Sequence, residues 1–375
     1  MNKKTPGINP TGLRAGTRQQ ATSKASHVDL KTLSEHLGLS KGTISRALNG
    51  YPEIAAPTRA RVVEAAARLG YKPNRVARRL ATGRNELISY VALGSDWMTV
   101  ERSFLSALSS TLAERGYGLL VSLADTMAHA QETMKGLLEE RRVDGFVFNL
   151  AYPADGRIAL AADSRVPAVV VGGGAPSHSP DLVPTIRIND GAVMDGLVDY
   201  MTSLGHSRFA YFGQDAPPAL QKLHSDILSA ACRNRNTSFV ASVQTEPQPV
   251  FGNELATDGA DQSLAARAHA ILEDVSGQPT AVFCGCERTV AALYMAAVDR
   301  GLSVPGELSI IGIGSTQLAS WLSGGLSTVS WSLSEAGRLG ADCITALVEG
   351  QAIPTALDVI EAEFHPRATH GPAPR

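Results

Sequence analysis

The sequence predicts a small all-α unit with a helix-turn-helix, followed by a larger α/β unit of two lobes with parallel sheets and helices on both faces. Three observations support this prediction. The 375 residues exceed what one ordinary core accommodates. Residues 1–84 hold 16 basic and 4 acidic residues, a net charge of +12, whereas the rest holds 18 and 32, a net charge of −14. Short helical patterns fill the basic part, and apolar strands alternate with helices in the acidic part.

A basic head on an acidic body predicts a polyanion-binding module joined to a different domain. Residues 1–26 contain no acidic residue and show no apolar periodicity, so we expect a disordered basic tail there. This tail either adds attraction to phosphates or is an inert extension.

Three short helices are predicted next. Asp29 can cap the first, which Gly38 ends, and Ser40 can cap the second. Pro57 lies in the first turn of the third helix, which Gly70 closes, and no cap hydroxyl precedes that turn. The turn between the first two helices has only about three residues, which fits a helix-turn-helix. The residues expected to face inward are Leu30, Leu33, Leu37, Ile44, Leu48, Val62, Val63, Ala66 and Leu69.

A short fourth helix is predicted after Asn74, which can cap it. It carries several arginines and little apolar surface, so we expect it to order only on a polyanion. We interpret this stretch as a linker.

Apolar runs separated by longer helical stretches begin at Leu87 and predict parallel sheets covered on both faces. Roughly five strands precede Asn189 and four or more follow, which indicates two similar lobes with a cleft between them. The predicted strands are LISYVAL, GLLVSL, GFVFNL, AVVVG, TIRI, RFAYFG, FVASV, TAVFCG and LSIIGI.

Several other classes of protein are not expected. No apolar run approaches the roughly 18 residues of a membrane span, and the polar N-terminus has no secretory signal, so we expect a cytoplasmic protein. Cys284-x-Cys286 lacks a second ligand pair, which argues against a metal, and we expect reduced thiols and no cofactor. No G-x-S-x-G, P-loop lysine motif or HExxH is present, and His178 and His206 have no evident partners, so catalysis is not expected.

Several runs of the sequence match one family in order and spacing. The match is close over residues 28–84, through LGLSKGTISRALNG and TRARVVEAAARLGYKPNRVARRLATGR, and continues through ERRVDGFVFNL, VPAVVV, SLGHSRFAYFG, PTAVFC, VPGELSIIGIG and LSTVSW. The chain thereby resembles the lactose-repressor (LacI/GalR) family of transcriptional regulators. The resemblance implies a two-lobed periplasmic-binding-protein-like effector domain, a homodimer, a palindromic DNA operator and a small-molecule effector in the cleft. Repression is expected from the resemblance alone.

Domain boundaries follow from the patterns and the resemblance together. We expect a tail at 1–26, a helix-turn-helix domain at 27–73, a hinge helix and linker at 74–86, a two-lobed domain at 87–368 and a tail at 369–375. The first lobe is expected to contain about 87–188 and 331–355, and the second about 189–330 and 356–368.

The resemblance places base reading on Lys41 and Gly42, with Arg46 one turn further on, where it can contact guanine through two bonds. Gly42 has no side chain to read a base; it either lets the helix approach DNA closely or is a tolerated helix-weakening residue. Leu80 matches the family's minor-groove wedge, with ordinary packing as the alternative. The other predicted DNA contacts, mostly to phosphates, are Ser40, Thr43, Ser45, Asn49, Thr58, Asn74, Arg78 and Arg79.

The resemblance weakens at the cleft, where several hydroxyl-binding carboxylates of the family are replaced, for example by Gly172 and Gly314. Aromatic rings remain, and Lys222 could pair an anionic group, so the expected effector is not necessarily a neutral sugar. The alternatives are a cleft packed shut, used only for dimerisation, and tryptophans that serve packing. The predicted effector-binding residues are Asp96, Trp97, Phe104, Gly172, Arg187, Lys222, Cys286, Glu287, Gly314 and Trp331.

Overall fold

The computed structural model of the 375-residue chain describes residues 28–48, 50–71, 83–93, 102–124, 126–151, 155–173, 183–213, 218–243, 257–273, 278–314, 324–353 and 359–375. The chain divides into two compact units, Met1–Gly83 and Arg84–Arg375. Within the described residues, no helix is both long and apolar enough to cross a membrane.

The headpiece, residues 28–71, is built from α1 (Leu30–Leu37), α2 (Lys41–Leu48) and α3 (Ala56–Leu69). The predicted caps are confirmed at α1, where Asp29 accepts a hydrogen bond from the backbone N–H of Thr32 at 2.8 Å and Gly38 adopts the left-handed conformation. The three helices enclose a common core whose buried members are Leu33, Ile44, Ala47, Val62, Ala65 and Ala66.

Val63 differs from expectation, because its side chain is 51% exposed. The buried stripe of α3 consists of Val62, Ala65 and Ala66. Val63 lies one residue beyond Val62, about 100° further around the helix, which turns it towards solvent.

The first lobe alternates strands and helices. Its sheet has the order β11-β5-β4-β3-β1-β2, and its strand pairs are parallel. Buried apolar clusters lie on both sides of the sheet, as predicted for parallel strands covered by helices. The elements are β1 (Leu87–Leu93), α4 (Arg102–Glu114), β2 (Gly118–Ala124), α5 (Met127–Glu139), β3 (Gly145–Ala151), α6 (Gly156–Ser164), β4 (Ala168–Gly173), β5 (Thr185–Ile188) and, later in the chain, α11 (Leu333–Glu349) and β11 (Val359–Ile360).

The second lobe repeats this plan. Its sheet has the order β12-β10-β9-β8-β6-β7, in which only the β12–β10 pair is antiparallel among the described strands. The elements are α7 (Asp190–Ser203), β6 (Arg208–Phe212), α8 (Pro218–Asn234), β7 (Ser238–Val243), α9 (Thr257–Ile271), β8 (Ala281–Cys284), α10 (Glu287–Asp299), β9 (Ser309–Ile313), β10 (Ser327–Trp331) and β12 (Ala362–His365).

The chain crosses between the lobes at 188–190, 331–333 and 360–362. The last crossing comes later than the expected 355/356, because Val359–Ile360 pairs with Arg187–Ile188 of the first sheet. Two crossings are bonded to each other: the N–H of Asn189 donates to the Ile360 carbonyl at 2.9 Å, and its side-chain amide donates to Glu361 at 3.0 Å.

Residues 369–375, which were expected to form a tail, are instead packed and hydrogen-bonded to the second lobe. Thr369 is 4% exposed, and the N–H of Ala373 donates to the carbonyl of Leu204 at 2.9 Å. The sequence has no periodicity there, so its partners, which are distant along the chain, were not predictable from a local pattern.

Candidate DNA-binding surface and effector site

Helix α2 presents the predicted reading residues to solvent. Ile44 and Ala47 are buried against the rest of the headpiece core. A helix that buries this face exposes the opposite one, and Lys41, Gly42 and Arg46 are all exposed there. The structure therefore brings together the three positions expected to read bases.

Two of the predicted phosphate contacts already cap α2. The Ser40 hydroxyl oxygen accepts a hydrogen bond from the backbone N–H of Thr43 at 3.1 Å, and the two hydroxyl oxygens lie 2.9 Å apart. This is the N-cap bond predicted for Ser40. Ser45 and Thr58 are half-buried at the surface of α2 and at the start of α3.

Gly42 is not required by the geometry of the headpiece. A Cβ built on it would lie 3.8 Å from the nearest atoms, in the side chains of Arg46 and Ser40, and Gly42 is not among the residues with positive φ. Arg46 bends back over this position, where its Nε donates to the Gly42 carbonyl at 3.3 Å. Neither space nor backbone conformation within the headpiece explains the glycine.

Some predicted contacts lie outside the described residues. They are the predicted DNA contacts Asn49, Asn74, Arg78, Arg79 and Leu80, and the predicted effector contacts Asp96 and Trp97.

Three predicted effector residues meet at one edge of the second sheet. Cys286, Gly314 and Trp331 lie at the carboxyl ends of β8, β9 and β10, which are neighbouring strands. The Trp331 ring comes within 4.0 Å of the position of a Cβ on Gly314. Ligands of open α/β sheets bind at the carboxyl ends of the strands. The crossing at 331–333 starts at this edge of the second sheet, and the crossing at 188–190 starts at the corresponding edge of the first sheet.

Trp331 also joins the two lobes. It packs against the buried clusters of both lobes, as Ile188 does at another crossing. The residue that the sequence offered as a stacking surface therefore has a packing role at the crossing, while remaining half-exposed.

Gly314 and Gly172 are fixed by backbone conformation. Their φ angles are +101° and +74°, in the region that side chains disfavour. The carboxylate that the family usually carries at these positions would strain this backbone.

Cys286 and Glu287 open helix α10. The Thr289 hydroxyl accepts from the N–H of Cys286 at 3.1 Å and donates to its carbonyl at 2.8 Å, which fixes the first turn. Both side chains are half-buried, so they line the start of this helix with partial access to solvent.

Phe104 and Lys222 differ in their access to solvent. Phe104 is fully buried in the first-lobe core, with its ring centroid 5.7 Å from that of Tyr90. Lys222 forms an exposed pair with Asp226 at 2.6 Å along α8. Arg187 is exposed on β5.

A buried ion pair near the carboxyl edge of the first sheet was not predicted from the sequence. Arg157 donates to both carboxylate oxygens of Asp155 and, at 2.8 Å, to the carbonyl of Val91 near the carboxyl end of β1. Its guanidinium lies 5.5 Å from the centroid of the Phe148 ring, and both charged side chains are almost fully buried. The motif Asp-Gly-Arg after a predicted strand was the available signal, but it did not identify the partners.

The four cysteines are free thiols, and three of them are buried. Burial raises the pKa of Cys343 to about 11 and that of Cys284 well above its ordinary value. These two thiols therefore stay protonated and unreactive at neutral pH. No cluster of His, Cys, Asp and Glu suited to a metal occurs among the described residues.

Known proteins resemble both units of the chain. The family model described as "Bacterial regulatory proteins, lacI family" matches residues 34–74, and the "Periplasmic binding protein-like domain" matches residues 198–370. The chain is 29% identical over 366 residues to the HTH-type transcriptional regulator AglR of Rhizobium meliloti (strain 1021), covering 92% of this chain and 95% of that protein. It is 26% identical over 335 residues to the lactose operon repressor of Escherichia coli (strain K12), covering 87% and 86%.

A solved structure shares the fold. The lac repressor dimer bound to operator and the anti-inducer ONPF matches with a TM-score of 0.72 and 22% identity, covering 91% of this chain and 98% of that one. The chain therefore carries a helix-turn-helix region of the lacI family of bacterial regulatory proteins, followed by a periplasmic-binding-protein-like domain.

Proposed function

We propose that the protein represses transcription by binding a palindromic DNA operator as a homodimer, with an affinity tuned by a small molecule between the lobes. The observation that carries the proposal is the solvent-facing surface of α2, where Lys41, Gly42 and Arg46 stand side by side. A second helix held in this way by a short turn is the element that enters the major groove in helix-turn-helix proteins. Such a protein acts where the DNA lies, so we place it in the cytoplasm.

Repression is supported by relatives that are named as repressors. The lactose operon repressor aligns along most of this chain, and the matched solved structure is a dimer on its operator. The net charge of +12 in residues 1–84 supplies the attraction to phosphate that such binding needs.

Homodimerisation is supported by an apolar stripe on α10. Ala291, Met295 and Val298 are exposed at spacings of four and three residues, with Met295 59% and Val298 55% exposed. Residues so spaced share one helix face. A second copy of this chain presenting the same stripe would bury it symmetrically.

Effector binding is supported by the meeting of Cys286, Gly314 and Trp331 at the carboxyl edge of the second sheet. One observation favours the second candidate, an effector-independent regulator: Trp331 already packs against both cores. In that case the lobes would serve dimerisation alone.

Selection of duplexes from a random pool by the full-length protein tests DNA recognition. We expect the enriched sequences to be inverted repeats whose half-sites lie one or more helical turns apart, as two reading helices of a symmetric dimer require. Enrichment of single half-sites would contradict the palindrome, and no enrichment would contradict sequence-specific binding.

Thermal unfolding with individual monosaccharides, disaccharides and sugar phosphates distinguishes the two versions of the effector domain. A ligand present at 100 times its Kd stabilises the folded protein by about 2.7 kcal/mol, so binding raises the Tm. The proposal expects at least one compound to do so and to change operator affinity. The same Tm with every compound would favour the effector-independent regulator.

A further inference from the structure

The C-terminal clasp, residues 366–373, runs across the amino edge of the second sheet, opposite the edge where β8, β9 and β10 end in the effector site. Thr369 exchanges two bonds of 2.7 Å with the backbone of Ile310, and its hydroxyl also accepts from the N–H of Ser327 at 2.9 Å. At the far end of the clasp, the N–H of Ala373 donates to the carbonyl of Leu204, just after α7. The clasp thus fastens β9, β10 and the end of α7 to one another.

His206 holds the middle of the clasp. It is 1% exposed, and its Nε2 lies 2.9 Å from the carbonyl oxygen of Gly371. A carbonyl only accepts, so Nε2 carries the hydrogen and Nδ1 accepts from the Thr280 hydroxyl at 2.8 Å. A second proton, on Nδ1, would require the Thr280 hydroxyl to turn its hydrogen to the carbonyl of Arg208, which lies 3.5 Å away, so the 2.8 Å bond from Thr280 to the ring would be replaced by a much longer one.

His370 is the histidine within the clasp itself. Its Nδ1 lies 2.8 Å from the Ser327 hydroxyl and 3.1 Å from the carbonyl of Arg367, and its Nε2 lies 3.2 Å from the Tyr200 hydroxyl. Its ring packs edge-on against that of Phe364 at 5.3 Å. Both ring nitrogens are therefore engaged in the neutral form.

No carboxylate bonds to either ring among the described contacts. Tyr200 of α7 faces His370, and a charge on His370 disfavours a charge on His206. The guanidinium of Arg367 bonds to the Leu326 carbonyl and the Thr328 hydroxyl. The turn that lies next to Gly371 contains Glu307, and the carboxylate of Glu307 accepts hydrogen bonds from Ser303. Within the part of the chain that the structure describes, a proton added to either histidine is therefore not bonded by a carboxylate.

We propose that the C-terminal clasp is an acid-sensitive fastening of the second lobe, which protonation of His206 and His370 releases from the sheet edge. The clasp closes on two neutral rings, one within it and one on the sheet edge that it contacts, and a cation at each of these contacts would open it.

The direction of the pH dependence follows from burial. Burial lowers the pKa of His206 and of His370 below the ordinary 6.5, and the proximity of His370 adds to the effect on His206. A lowered folded-state pKa means that the stabilisation by the neutral rings is present above pH 6.5. It is lost as the pH falls from 6.5 through the lowered values.

Hydrogen exchange of the full-length protein between pH 7.5 and 5.0 tests the proposal, with rates corrected for intrinsic exchange. The reporters are peptides covering 308–313 and 369–375. Protons taken up on opening raise the opening constant as the pH falls below 6.5, with a limit of about 100-fold per pH unit where the open form carries both protons and the closed form neither. His370→Gln should leave protection at pH 7.5 nearly unchanged and lower this limit to about tenfold per unit, since one histidine remains.

Two further variants complete the test. His206→Gln combined with His370→Gln should abolish the pH dependence; if this variant fails to fold, His370→Gln alone decides. His129→Gln, at an exposed histidine of the first lobe, should behave as wild type. A wild-type opening constant that stays the same down to pH 5.0, or an unchanged slope in His370→Gln, would overturn the proposal.

Discussion

Arg46 is the residue whose geometry best fits recognition of a single base. It is exposed on α2, and its bond to the Gly42 carbonyl uses Nε, which holds the side chain along the helix. We expect Arg46→Ala to cost about 1–3 kcal/mol of operator binding and to relax preference at one base position, because a bidentate guanine contact is lost. Titration of the selected operator and its point variants by fluorescence anisotropy measures this.

The matched control is Arg68→Ala. Arg68 is also an exposed headpiece arginine, but it lies in the last turn of α3 and bonds to His36 of α1 at 2.7 Å. Its loss should weaken all duplexes to a similar, small extent. Equal loss of specificity in both variants would contradict base reading by Arg46.

Gly42 can be replaced by alanine without a clash in the headpiece. Since a Cβ fits at 3.8 Å, Gly42→Ala should stabilise the headpiece by about 0.5–1 kcal/mol through its better helix propensity. Denaturant unfolding followed by circular dichroism measures this, and repeated operator selection should return the same sequence. A changed preference would show that the bare backbone at this position contributes to reading.

Helix α6 depends on the buried pair at its start. Asp155→Ala leaves the Arg157 cation buried without its partner, so we expect a loss of about 3–5 kcal/mol in the free energy of unfolding. Urea unfolding measures it. Asp226→Ala breaks an ion pair that is exposed on α8 and should cost about 0.5 kcal/mol or less. Similar losses in the two variants would contradict this account of the buried pair.

Elements with a local signal were predictable from the sequence. The apolar spacing of the headpiece helices and the caps of α1 and α2 lie within a few residues, and β1 to β9 are apolar runs, so neither needed knowledge of distant contacts. The two-residue β11 shows no periodicity, and the partners of Thr369 and Arg157 lie some 60 residues away. Phe104 was predicted to line the cleft because the family resemblance indicates the position of a residue along the chain but not its burial.

The candidate effector site was only partly predictable for the same reason. Strand ends placed Cys286, Gly314 and Trp331 at one edge. Trp331 also contacts the cores of both lobes. This contact depends on how the two lobes pack, which could not be predicted from a single sequence.

We expect two chains to associate through the exposed apolar stripe of α10. Met295→Glu should place a charge in the proposed contact between two copies and shift the protein towards monomers, which sedimentation velocity measures. Lys135→Glu, an exposed charge change on α5 of the first lobe, should leave the assembly unchanged. A Met295→Glu protein that sediments as wild type would exclude this face as the interface.

The central claim concerns the whole molecule, in which paired headpieces recognise one DNA sequence. The most direct test is the ratio of Kd values for an unrelated duplex and the selected operator, measured with the full-length protein at about 0.15 M salt, near physiological ionic strength. We expect the operator to be bound at least about 1,000-fold more tightly, as specific regulators achieve. Equal affinity for the two duplexes would mean that the basic headpiece binds only phosphate, and would exclude sequence-specific recognition.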